Sequence, residues 1–98
     1  MDRVLQKAYV KGLRKQWERI KKKYGYGSKY EQLMFELDES GKRLEVEKMA
    51  DEAIRKCNDI LEEIQMLEKI VDDKYWSKIL NEIKNEVEDV KELYESFL

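Results

Sequence analysis

The side chains able to do chemistry in this chain are carboxylates, cations, tyrosines and a single thiol; histidine is missing altogether. Without an imidazole there is no Ser-His-Asp triad, no Cys-His pair and no histidine metal site. Cys57, the only cysteine, makes neither an intrachain disulfide nor a thiolate zinc site. Carboxylates remain as the main route to catalysis. Glu62, Glu63, Glu82, Glu86 and Asp89 stand at helical spacings that can hold Mg²⁺. They flank apolar positions rather than join them, however, and twenty-two acids in 98 residues produce such spacings by chance. No catalytic residue, metal or cofactor is assigned, and the chain reads as non-enzymatic.

One acidic pattern suggests an alternative. Asp59-x-x-Glu62 followed by Glu86-x-x-Asp89 resembles the paired acidic motifs of all-α nucleotide pyrophosphatases, with Asp in the first motif where that pattern has Glu. The resemblance implies a Mg²⁺-dependent all-α nucleotide hydrolase. Cys57 stands among Ala53, Ile60 and Ile64 at helical spacing and reads as a small buried apolar residue. Gly25 and Gly27 do not form a phosphate loop, because no strand precedes them and no Gly-Lys-Ser/Thr ending follows.

The cations are more informative. Residues 1–29 carry ten Lys/Arg against Asp2 and Glu18, a net of +8, whereas residues 30–98 carry ten bases and twenty acids, a net of −10. The overall −2 hides this split. A polarised charge distribution points to an anionic partner or to attraction between the two parts of the chain. Lys7, Lys11, Arg14, Lys15, Lys21 and Lys22, with Tyr24, Tyr26 and Tyr30 close by, are the candidate binding residues for a protein, a nucleoprotein or a nucleic acid. The cations would meet phosphates and the tyrosines would stack on bases of a single strand. The plain alternative is a solvated face that offsets the acidic helices.

These residues need elements to position them. A basic amphipathic helix is expected over 2–24, with Asp2 as N-cap. Leu5, Tyr9, Leu13, Trp17, Ile20 and Tyr24 form its inner face and the cations its outer one. Gly25 fits the left-handed position after a helix end. A Tyr/Gly loop follows over 24–28. Residues 29–46 read in two ways. In a short helix, Ser28 and Glu31 make a capping box and Tyr30, Leu33, Met34 and Leu37 share a face. In a β-hairpin over about 32–46, Asp38-Glu39-Ser40-Gly41 form the turn, and Leu33, Phe35, Leu37, Leu44 and Val46 line one face. The hairpin is favoured, since Glu36, Asp38 and Glu39 would crowd the negative end of a helix dipole.

From Val46 onward the pattern is heptad. Val46, Ala50, Ala53, Cys57, Ile60, Ile64, Leu67 and Val71 form one seam, and Trp76, Leu80, Ile83, Val87, Val90, Tyr94 and Phe97 a second, two residues out of phase. On one straight helix the seams would face roughly 200° apart. A break at Asp72-Asp73 resolves the conflict, giving helices over 47–71 and 73–97 as an antiparallel hairpin, with the hydroxyl of Tyr94 able to reach water near the chain end.

The expected protein is thus a single mainly-α domain over 1–98, resembling a three-helix bundle. No apolar run reaches the ~20 residues of a membrane span and the first residues do not form a signal peptide, so an intracellular, cytoplasmic setting without membrane partners is expected. The seams satisfy each other within one chain or pair with a second copy, so a homodimer is compatible. The function expected is that of a small interaction module on a protein or nucleoprotein partner. Chains this small and charged are often phage- or virus-type modulators or inhibitors of host machinery, an association rather than a physical deduction. The alternative is direct nucleic-acid binding through the basic helix.

Overall fold

The computed structural model describes residues 2–25, 29–40 and 43–98. Four helices follow one another: α1 (Arg3–Tyr24), α2 (Lys29–Ser40), α3 (Arg43–Glu68) and α4 (Lys74–Glu95). The heptad seams decide the centre. Ala50, Ala53, Cys57, Ile60 and Ile64 of α3 are buried against Leu80, Ile83, Val87 and Val90 of α4. Neither amphipathic helix can hide its stripe alone, so the two consume each other's apolar face within one chain.

The break between them lies where the phase shift requires it, but the connection is longer than the one or two residues expected. The helix α3 loosens after Glu68 through Ile70 N–H and Val71 N–H donating to the carbonyl of Leu67 at 3.0 and 2.8 Å. Asp73 then caps α4, its carboxylate accepting from the amides of Tyr75 and Trp76 at 3.0 and 3.2 Å. Five residues make the turn, and Val71 still fills the core from within it.

Helix α1 lies in the groove between α3 and α4 and completes a three-helix bundle. Its contacts with the α3–α4 turn and with α4 keep a nearly constant offset: Gln6 meets Asp72, Trp17 and Lys21 meet Glu86, and Tyr24 meets Tyr94. A constant offset means that α1 runs parallel to α4 and antiparallel to α3. The buried stripe is Gln6, Val10, Leu13, Trp17 and Tyr24, whereas Leu5 and Tyr9 are about half exposed. The helix is therefore turned by roughly 40° from the face that hydrophobicity alone selects. The reason is Gln6. Its side-chain carbonyl accepts from the amides of Asp72 and Asp73 at 3.1 and 2.9 Å, and its amide donates to the carboxylate of Asp72 at 2.5 Å. A glutamine so completely satisfied can be buried to 1% exposure, and it ties the start of α1 to the α3–α4 turn.

Residues 29–40 form the helix α2, not a hairpin, and no strand occurs among the described residues. Tyr30 and Leu33 pack at helical spacing on the end of the bundle, Tyr30 against Tyr94 and Phe97 and Leu33 fully buried. Phe35 and Leu44, which the hairpin would have placed on its inner face, are 66% and 78% exposed. An isolated two-stranded hairpin has no sheet to join and is marginal in water. Burying Leu33 contributes about 1.5–3 kcal/mol; acids near a helix C-terminus cost a few tenths to about 1 kcal/mol each, which that burial offsets. Gly41, the last residue of the expected hairpin turn, the capping-box residue Ser28 and the loop residues Tyr26 and Gly27 lie outside the described residues.

Gly25 is needed for a different reason from the one its position suggests. Its backbone is extended (φ −73°, ψ −179°), not left-handed. Its amide donates to the carbonyl of Lys21 at 2.7 Å, and a Cβ there would lie 2.4 Å from that oxygen. Gly12, by contrast, is exposed within α1 with nothing within 4 Å of a Cβ. The same substitution therefore has opposite signs. Gly12→Ala should stabilise by about 0.4–1 kcal/mol, and Gly25→Ala should destabilise by more than that. Urea unfolding of the two variants checks both, and a stabilised Gly25→Ala would contradict the close contact.

Candidate functional site

The outward face of α1 is where the basic residues collect. All of Arg3, Lys7, Lys11, Arg14, Lys15, Arg19, Lys21, Lys22 and Lys23 are exposed. Docking α1 divides them into two sets. Arg3 and Lys21 flank the groove on the α4 side: Arg3 pairs with Asp73 at 3.0 Å, and Lys21 with Glu86 at 2.7 Å. Lys23 flanks the α3 side, 3.7 Å from Glu52 and 5.1 Å from the centre of the Tyr24 ring. Lys7, Lys11, Arg14, Lys15, Arg19 and Lys22 have no ion-pair partner among the described residues. From Lys7 to Lys22 they follow the helix for about 22 Å, with Glu18 as the one acid among them.

The pairs that do form are surface contacts of modest energy, about 0–1 kcal/mol each. Their effect is one of position. Glu86 accepts from the indole of Trp17 at 3.3 Å as well as from Lys21, so it fixes the middle of α1 against α4. The Glu86 bond holds the ammonium pKa of Lys21 above its ordinary value.

The tyrosines are placed differently from the sequence reading. Tyr24 is 4% exposed. Its hydroxyl donates to Glu52 at 2.6 Å, its ring meets Tyr94 edge-on at 5.9 Å, and its carbonyl accepts from the hydroxyl of Tyr94 at 2.6 Å. Tyr24 is thus a core and capping residue and cannot stack on a base. Tyr94 satisfies the open end of α1 instead of reaching water. Tyr30 is half-buried with its ring against Tyr94 and Phe97, and Tyr26 lies outside the described residues. Sequence periodicity places Tyr24 on the inner face already; only its neighbouring cations suggest a binding role.

The candidate catalytic groups do not assemble. Among the described residues no group of three or more acids, cysteines or histidines comes close enough to hold a metal ion. Glu86, half of the second acidic motif, is engaged by Trp17 and Lys21. Cys57 is fully buried, and burial pushes its thiol pKa up to about 11, which leaves it protonated and inert. Trp17 and Trp76 sit at different levels of the bundle, since Trp17 reaches Glu86, ten residues or about 15 Å along α4 from Trp76.

Sequence reasoning passed over one feature, a hollow of about 360 Å³ between α1 and α3 lined by Gln16, Arg19, Ile20, Lys23, Tyr24 and Lys56. Arg19 follows the outer cations at the edge of the groove, and Lys56 faces it from α3. Helical spacing locates Arg19 near the outer face, but nothing in the sequence joins it to Lys56, 37 positions away. No protein family matches the chain, and comparison with curated proteins and with solved structures finds no match. Among the described residues no helix is long and apolar enough to cross a membrane.

Two carboxylates have a pH consequence. The hydroxyl of Tyr24, followed by Lys23, holds Glu52 below its ordinary pKa of 4.5, and the amide of Gln6 holds Asp72 below 3.8. A depressed carboxyl stabilises the fold above its unfolded pKa, and that contribution disappears as pH falls through the folded value. Thermal stability should therefore begin to fall once the pH drops below about 4.5, with a shallower fall in Glu52→Gln, which keeps an acceptor for Tyr24 but has no proton to take up. Equal acid slopes in the two proteins would show that Glu52 does not contribute.

Proposed function

We propose that this protein is a small, non-enzymatic interaction module that docks on a protein or nucleoprotein partner through the outer face of α1. One observation carries the reading: Lys7, Lys11, Arg14, Lys15 and Lys22 form a row of like charge on a rigid helix, and none is neutralised by an ion pair with the described residues. The acidic remainder of the chain supplies enough negative charge to neutralise them, but among the described residues only Arg3, Lys21 and Lys23 of α1 pair with it. A ridge of one sign accelerates and orients encounter with a surface of the opposite sign.

The apolar stripe of α1 is occupied by the core, which leaves the ridge little to insert into lipid and favours a macromolecular partner in an intracellular setting. Such a module acts by covering a surface, and a modulator or inhibitor of a larger machine would work in this way. A hydrolase reading through Asp59, Glu62, Glu86 and Asp89 has less support, because Glu86 is already committed to α1.

The test is affinity purification from the cell that encodes the chain, with mass spectrometry and nucleic-acid detection, using the native protein and a Lys7→Glu, Lys11→Glu, Arg14→Glu, Lys15→Glu variant. The four residues lie outside the core, so the variant should keep its helical circular dichroism. A specific partner retained by the native protein and lost by the variant is expected. Retention of the same partner by both would move the contact away from α1 and refute the reading.

A further inference from the structure

Beside the outer ridge, the hollow between α1 and α3 has a composition of its own. Its lining combines apolar surface from Ile20 and Tyr24 with Gln16, Arg19 and Lys23 from α1 and Lys56 from α3. Lys23 is shared with Glu52. Arg19 and Lys56 have no ion-pair partner among the described residues. Two cations from different helices thus line one concavity, with Lys56 close enough to Glu52 on its own helix to help lower that carboxyl's pKa but not in an ion pair with it. The ridge residues Lys15 and Lys22 lie four and three residues, about one helical turn, from Arg19 along α1, so the hollow adjoins the basic ridge.

We infer that this surface binds the sugar-phosphate backbone of a nucleic-acid duplex, with a phosphate seated between Arg19 and Lys56 and neighbouring phosphates along Lys11, Lys15 and Lys22. The inference rests on the α1 face being the docking surface and names what docks there. Three features favour a phosphodiester backbone over an acidic protein. Cations of one sign extend along a rigid line for about 22 Å, and a duplex presents a negative charge about every 1.7 Å of its axis, whereas acidic protein surfaces mix their charges. The guanidinium of Arg19 presents a planar fork suited to phosphate oxygens. The apolar part of the lining, Ile20 with Tyr24, suits the sugar that adjoins each phosphate, which a carboxylate side chain does not carry. A duplex is favoured over a single strand because Tyr24, buried and bonded to Glu52, offers no ring for stacking.

Fluorescence anisotropy with a labelled duplex of about 20 base pairs, DNA and RNA in parallel, over about 50–200 mM salt tests the inference. Poly-L-glutamate serves as the acidic-polypeptide control. Micromolar binding at low salt is expected, with log K falling against log salt at a slope of about −4, as about four phosphate contacts require. Lys56→Gln and Arg19→Gln should each flatten the slope by about 1 and weaken binding at low salt. Neither residue is buried, so both variants should fold as the native chain does. Lys56 is the decisive position, because a contact made by α1 alone leaves it unaffected.

If Lys56→Gln and Arg19→Gln both bind duplex with native affinity and slope, the hollow is not a phosphate site and the inference fails while the α1 ridge stands. Binding to poly-L-glutamate without binding to either duplex also overturns it, leaving an interaction module for an acidic protein. If neither probe binds and the purification experiment finds no α1-dependent partner, both readings fall.

Discussion

The whole arrangement depends on how α1 settles into the groove between α3 and α4. The seams of those two helices face each other and leave room for one further apolar stripe. The observed orientation of α1 fills that room and satisfies its polar member. Gln6 locks the start of the helix to the amides of Asp72 and Asp73. At the other end the hydroxyl of Tyr94 closes the last carbonyl of α1, and Tyr24 reaches across to Glu52 on α3. Between these two polar anchors, Val10, Leu13 and Trp17 contribute the bulk of the burial. The anchors cost little, because each buried polar atom has its partner, and they remove the freedom to rotate or slide that a purely apolar contact would leave.

The same docking decides the electrostatics. Turning α1 by roughly 40° carries Arg3 and Lys21 to the edge of α4, where Asp73 and Glu86 answer them, and Lys23 to the edge of α3 beside Glu52. The cations on the far side are left pointing away from the acids of α3 and α4, with Glu18 of α1 as the one acid among them. The near-neutral composition is therefore a poor guide to the surface, where opposite charges are held on different faces by helices too stiff to bring them together. Lys56 falls on the basic side although it belongs to an acidic helix, which makes the hollow between α1 and α3 basic across two elements.

The seams of α3 and α4, the break at Asp72-Asp73, the capping role of Asp73 and the start of α1 after Asp2 were legible in the residues, because each rests on local spacing: a heptad repeat, a phase shift, or a side chain two or three residues from the amides it caps. The choice at residues 29–46 was not legible. Leu33, Phe35 and Leu37 fit a strand's alternation, and Tyr30 and Leu33 fit a helix's turn equally well. Only the end of the bundle, which offers Tyr94 and Phe97 as a surface for Tyr30 and no strand to pair with, favours the helix. Tyr24 was ambiguous in the same sense, since a tyrosine on an apolar face serves core or surface according to whether its hydroxyl finds a partner inside.

By itself, then, the sequence determined that the chain is helical, where its two long helices turn, and that its positive charge is concentrated in the first of its helices. Those properties follow from periodicity and composition over short distances. The tertiary structure alone decided which cations are answered and which remain open, that Tyr24 is core, and that Arg19 and Lys56 share a hollow. These depend on the rotation and register of α1 against helices some 30 to 70 residues away, and that register is set by polar partners, Gln6 with the α3–α4 turn and Tyr24 with Glu52, that no local pattern joins.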